Sequence, residues 1–217
     1  MTLLQRDVRT LAELEKIHLL PQLLKTLAAQ AGSLLNDASI SRTLGLNAMT
    51  CKNYRMILNK LLLTFELQPW FRNIGKRLSK SPKIYLIDTL LLVHLLGYDL
   101  ASLPLKRPDL FGHVLENFVA TELLKQISFA NTRESLMSFR TSDNKEVDFL
   151  LERPNGDLVG IEVKAASQVS VSDFSGLKEL RKLSEKSFIC GIVLYSGETF
   201  IPFDTNLFAL PIDWLWS

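Results

Sequence analysis

At 217 residues the chain is long enough for one large domain or two small ones. Its 47% apolar content suffices for a buried core, yet no apolar run reaches bilayer length; the longest candidate, Ile84–Leu96, is interrupted by Asp88 and His94. The net charge of +2 has unequal parts: residues 50–83 set eight basic side chains against Glu66 alone, whereas residues 84–217 hold 12 basic and 18 acidic ones, a division that suggests two modules. The N-terminus turns charged at Arg6 and Asp7 and lacks the apolar block of a signal peptide. Cys51 and Cys190 fall in different predicted elements and form no ligand cluster, as expected of reduced thiols in a cytoplasmic protein with no membrane partner.

Residues 3–31 carry leucines and alanines at helical spacing, and Pro21 is placed to open a second helix there. Asp37, or Asn36 one residue earlier, caps a short helix, Ala38 to Leu44. Gly45 turns the chain, and Asn47 starts a longer helix to about Leu62. This is the pattern of a helix-turn-helix, with Ala38, Ile40, Leu44, Tyr54, Ile57, Leu58 and Leu61 facing inward. Thr50, Lys52, Asn53 and Arg55 are then expected to face outward. Two strand-like runs follow, Leu63–Leu67 and Lys83–Ile87, joined by a basic segment that reads as the wing of a winged helix. Lys52, Arg55, Arg72, Lys76, Arg77, Lys80 and Lys83 are the candidate DNA-backbone contacts. Six such contacts predict a log–log salt slope of roughly −5. A helix, Thr89 to Leu96, ended by Gly97, and a loop with Pro104 and Pro108 make the expected hinge between a first domain, 1–100, and a second, 101–217.

The second domain opens with a periodic helix, Phe111 to Ile127, that carries Glu116 and Glu122. Strands are predicted at Leu136–Arg140, Glu146–Glu152 and Leu158–Ala165, the last two joined at Pro154-Asn-Gly156, a strong hairpin signal. A helix, Ser172 to Leu183, and a final strand, Ser187 to Tyr195, complete an α/β domain (α+β for the whole chain) with a mixed sheet. Trp214 and Trp216 are expected to seal the last strand. Alternation puts Glu162 and Lys164 on one strand face, and the hairpin register can bring Asp148 across from Glu162. Two carboxylates this close repel, so one protonates or a divalent cation sits between them. Glu116, with Glu122 as the competing choice, could add a third oxygen ligand. Gln168 reads as a loop residue, Arg140 as a structural partner for one of the acids, and His18, His94 and His113 as isolated.

Asp148 followed 14 positions later by Glu162-Val-Lys164, with Glu116 on the preceding helix, resembles the D…(D/E)xK core of the restriction-endonuclease-like superfamily. Further positions extend the likeness over nearly the whole chain: Arg6-Asp-Val-Arg, Tyr54, Phe71-Arg-Asn, Ser81-Pro-Lys83, Asp88-Thr89, Glu116-Asn-Phe-Val and Glu146-Val-Asp148. Together they resemble the domain of unknown function that forms the C-terminal half of a group of prokaryotic AAA-type ATPases. That resemblance implies a winged helix followed by a PD-(D/E)xK nuclease-like domain. It implies Mg²⁺ or Mn²⁺ held by Asp148, Glu162 and Glu116, with Lys164 orienting water or phosphate. It also implies DNA and an ATPase domain or chain as partners. Met1 falls inside the helix that joins the two halves of such proteins, and the 10 glycines form no G-x-x-x-x-G-K-[ST] loop, so this chain is expected to have no ATPase activity of its own. Leu3, Leu4, Leu11 and Leu14 are the candidate surface for a homo-oligomer. Two functions fit these residues: a metal-dependent endonuclease, or an inactive nuclease fold that docks DNA or protein and regulates an ATPase.

Overall fold

The computed structural model describes residues 17–71, 80–130 and 133–216. The expectations for residues 3–16 and for Arg72, Lys76 and Arg77 lie outside these. Helix α1 (Leu20–Ala28) has Pro21 in its first turn. The chain then turns at Gly32, whose φ of +78° is left-handed, and Leu34 bridges to Lys83. Asn36, not Asp37, caps α2 (Asp37–Leu44) by accepting from the Ser39 amide. Gly45 ends that helix, and Asn47 caps α3 (Ala48–Lys60) through the Thr50 amide. β1 (Thr64–Leu67) and β2 (Lys83–Leu86) pair antiparallel, Thr64 opposite Leu86. Leu23, Leu27, Ile40, Cys51, Tyr54, Leu58 and Ile84 fill the core between helices and hairpin. Ala38 and Leu61, expected inside, are exposed, and Ser41 is buried.

Arg55 corrects the outward assignment. It lies one helical turn from both Cys51 and Leu58, so it shares their inward face and is only 6% exposed. Its guanidinium forks onto Asp37 at 3.0 Å and also bonds Glu66, tying α2, α3 and β1 together. Arg55→Ala would leave two partly buried carboxylates without their cation. We expect a loss of about 2–3 kcal/mol, discounted for the partial exposure of both acids. An unfolding free energy from urea titration within about 0.5 kcal/mol of wild type would rule this out.

Helices α4 (Thr89–Leu96), capped by Asp88, α5 (Leu103–Lys106) and α6 (Pro108–Phe129) follow. The stretch expected to be a hinge is a packed layer: Leu92, Val93 and Leu103 lie against Ala28, Ala31, Leu86 and Val114. Buried Asn117 on α6 clamps the hairpin, accepting from the Leu86 amide and donating to the Leu86 carbonyl. No helix among the described residues is long and apolar enough to cross a membrane.

The remaining chain forms a mixed sheet of six strands, β3 (Ser135–Arg140), β4 (Glu146–Glu152), β5 (Leu158–Lys164), β6 (Phe188–Tyr195), β7 (Ile201–Asp204) and β8 (Leu207–Pro211), in the order β3-β4-β5-β6-β8-β7. β3, β4 and β5 form an antiparallel meander, β6 and β8 run parallel to β5, and β7 closes the edge antiparallel to β8. α7 (Ser175–Ser184) covers one face through Leu177 and Leu180; α6 covers the other through Val119, Ala120 and Leu123 against Phe149, Ile161, Val163 and Leu194. The approach of α7 is so close that a Cβ on Gly176 would overlap the Glu146 carbonyl. The last two strands were not anticipated, and Trp214 and Trp216 do not seal a strand: both are half-exposed in a short 3₁₀ turn, Trp216 against Phe118.

Candidate functional site

The end of the β4–β5 ladder is where the acids gather. Ladder pairing stops at Phe149 opposite Ile161, and one step further Asp148 stands level with Glu162. There the Asp148 carboxylate replaces a ladder carbonyl: Oδ2 accepts from the Val163 amide at 3.0 Å. Oδ1 lies 3.2 Å from Lys83 Nζ, and the same ammonium is 3.0 Å from Glu116 Oε1. Tyr85 donates its hydroxyl to that Glu116 oxygen at 2.7 Å. Lys83 and Tyr85 are two residues apart on β2, so strand alternation sends both polar tips toward α6. Gly32 packs against the same carboxylate; a Cβ there would lie 3.0 Å from Glu116 Oε2, a tight contact added to the strain that a side chain would meet at a φ of +78°.

Glu162 and Lys164 form the second part. Val159, Ile161 and Val163 pack with the α6 side, which leaves Gly160, Glu162 and Lys164 on the other face of β5. Lys164 Nζ lies 2.9 Å from Glu162 Oε1, while Glu162 Oε2 is buried with no hydrogen-bond partner among the described residues. Such an oxygen is costly to keep ionised. Burial, and then the charge of Asp148, push the Glu162 carboxyl up to about 8. The same two causes raise Glu116 to about 7, against the opposing pull of Lys83 and Tyr85. Burial alone would lower Lys83, but Asp148 and Glu116 outweigh it and the amine holds its proton more firmly than usual. Tyr85 is pushed up by burial and by Glu116.

The four residues singled out from the sequence thus meet in two linked pairs, with Asp148 at the junction. Glu122 lies elsewhere, bonded to Lys125 and Trp216, and Arg140 pairs with Glu146. Gln168, His18, His94 and His113 are exposed. Lys52 and Lys80 are exposed as a DNA-contact reading requires, whereas Lys83 is 6% exposed and spent on the acids, as Arg55 is on its own. Lys83 and Tyr85 were missed as members of the site. The signal was two polar-tipped residues on one face of an otherwise apolar strand. A divalent cation does not fit this donor set: the facing oxygens of Glu116 and Asp148 share an ammonium already, and no three His, Cys, Asp or Glu among the described residues converge as metal ligands.

Comparison with known proteins divides the chain between residues 102 and 111. Residues 1–102 match a family described as Domain of unknown function (DUF8612), and residues 111–215 match Domain of unknown function (DUF4143). Uncharacterized proteins of Mycobacterium tuberculosis and Mycobacterium bovis are each 32% identical over 213 residues, which is 98% of this chain and 46% of theirs. The chain therefore spans about half the length of the curated relatives it matches. Among solved structures, a half-complex of Thermococcus gammatolerans McrB AAA+ hexamers with bound McrC aligns over 92% of this chain and 72% of that one, at 11% identity and a TM-score of 0.33.

Proposed function

We propose that the chain is a DNA-docking module of restriction-endonuclease type that serves an AAA-type ATPase supplied by another domain or chain. In this reading α1 to β2 form a winged helix and the six-stranded unit is the nuclease-like domain. The observation that carries it is the meeting of Glu116 on a helix, Asp148 at the end of one strand and Glu162-Val-Lys164 on the next. Docking is favoured over cleavage because Lys83 already bridges the two acids that a metal would hold. The outward face of α3, with Lys52 and Asn53 exposed beside Thr50, is the surface assigned to DNA, with Lys80 at the end of the segment before β2.

With Arg55 and Lys83 removed from the tally of free cations, binding should fall with salt at a log–log slope of about −4. Gel-shift titration of duplex DNA between low and moderate salt measures this, and Lys52→Glu should weaken the shift without changing stability. A protein that shifts no DNA at low salt would discard the reading in favour of protein docking. The second reading, a Mg²⁺-dependent nuclease, is favoured by the partnerless Glu162 oxygen. Plasmid cleavage in Mg²⁺ or Mn²⁺ that Asp148→Asn and Lys164→Ala both lose would establish it instead.

A further inference from the structure

Helix α3 carries two asparagines and is capped by a third. Asn47 holds the Thr50 amide, and Asn59 donates to Glu66 and accepts from Thr64. Asn53 is exposed, and its side-chain amide has no partner among the described residues. On the same outward stripe, at three- and four-residue spacing, stand Met49, 67% exposed, Met56, 45% exposed, and exposed Lys60, with exposed Lys52 beside them. These choices do little for the helix itself. Asparagine is a poorer helix former than alanine or lysine, and a methionine left in water buries nothing. Residues 47–62 contain no acid, and Arg55, the remaining cation of α3, is turned inward. The outward face is therefore two thioethers, an unengaged amide and two ammonium groups.

That set matches the major-groove edge of A·T pairs. A carboxamide accepts from the adenine N6 amino group through its oxygen and donates to N7 through its nitrogen. Guanine presents two acceptors at this edge, against which the amide oxygen would stay unpaired. Thymine presents a C5 methyl group, on which a flexible thioether chain packs. Met49 to Met56 is about 10 Å of helix, the length of about three base pairs. Lys52 and Lys60 supply charge complementary to the phosphates, with no carboxylate on the face to oppose them. We propose that Asn53 reads adenine and that Met49 and Met56 read thymine methyl groups, so that α3 selects duplex DNA with a short run of A·T pairs. The inference rests on the DNA-docking reading and adds to it a class of sequence and the side chains that choose it.

Fluorescence anisotropy of the full chain with short labelled duplexes at fixed low salt tests this. A randomised duplex pool enriched by binding should return sites with adjacent A·T pairs. At such a site, 7-deaza-adenine deletes the N7 acceptor and should weaken binding about fivefold. Uracil in place of thymine deletes the methyl group and should weaken it about fourfold at each contacted base. Asn53→Ala should bind the natural site more weakly and ignore the 7-deaza change. Met49→Ala/Met56→Ala should ignore the uracil change. These side chains are exposed, so neither variant should move Tm. Equal affinity for A·T-rich and G·C-rich duplexes overturns the proposal while leaving docking on phosphate intact. So does an A·T preference that both variants keep unchanged. Binding to no duplex at low salt overturns the docking reading and this inference together.

Discussion

Lys83→Met should be the most damaging single substitution in the acidic centre, costing about 3–5 kcal/mol at neutral pH. The side chain is 7% exposed and its two partners 13% and 12%, so bulk water and salt screen the interaction little. Methionine fills the volume but leaves Glu116 and Asp148 facing one another with no cation. Tyr85 still donates to Glu116 and the Val163 amide to Asp148, so the loss is one of charge balance and not of every hydrogen bond. Asp148→Ala should be milder, at about 2 kcal/mol, because it removes one of two acids and leaves Lys83 and Glu116 as a balanced pair. Its main cost is the orphaned Val163 amide. The order of these two variants is the discriminating result. Protonation of Glu116 relieves the repulsion in Lys83→Met, so its deficit should shrink as pH falls toward 5. Urea unfolding at pH 5 and pH 8 measures both points. A deficit that is equal at the two pH values, or an Asp148→Ala protein less stable than Lys83→Met, would refute this account.

Much of the second unit was legible because its signals are local. Glu146-Val-Asp-Phe149 alternates before the apolar run Phe149–Leu151, and Asn155-Gly156 turns with Gly156 at a φ of +89°, which sets the pairing that brings Asp148 level with Glu162. The Asn47 cap was legible for the same reason, whereas Asn36 was only the alternative to Asp37 and the Asp88 cap was not named. β7 and β8 were not, since four residues with Pro202 among them carry too little alternation to read as a strand. The buried cations fail differently. Lys83 sits at the end of a basic run and was counted with it, although its burial follows from the apolar strand it begins. Arg55 was assigned outward although its spacing from Cys51 and Leu58 pointed in. Composition overruled periodicity in both, and periodicity was right. The clamp from Asn117 to the Leu86 peptide had no local signal at all, because it joins residues 31 apart in sequence.

The acid left without a second partner should make stability depend on pH in a direction opposite to most paired carboxylates. Glu162 is raised to about 8 in the folded chain from an ordinary value of 4.5, by burial first and by Asp148 next. Between these values the folded chain keeps a proton that the unfolded chain has released. Stability from this group therefore falls as pH rises through that window, by up to about 1.4 kcal/mol per pH unit. Below about pH 4.5 both states are protonated and the dependence ends. Glu162→Gln copies the protonated acid: its amide keeps an acceptor for Lys164 and carries no charge to desolvate. The variant should match wild type near pH 5 and exceed it by a few kcal/mol at pH 8.5, with a flatter profile between. Glu116, raised to about 7, adds a similar but smaller slope to both proteins, so it cancels in the difference. The comparison requires urea unfolding of both proteins at pH 5, 6.5 and 8.5. Parallel profiles would mean that Glu162 is ionised in the folded chain at neutral pH, with Lys164 and solvent sufficient to hold its charge. In that case its free oxygen would be available to a cation, and the weight would move from the docking module to the nuclease.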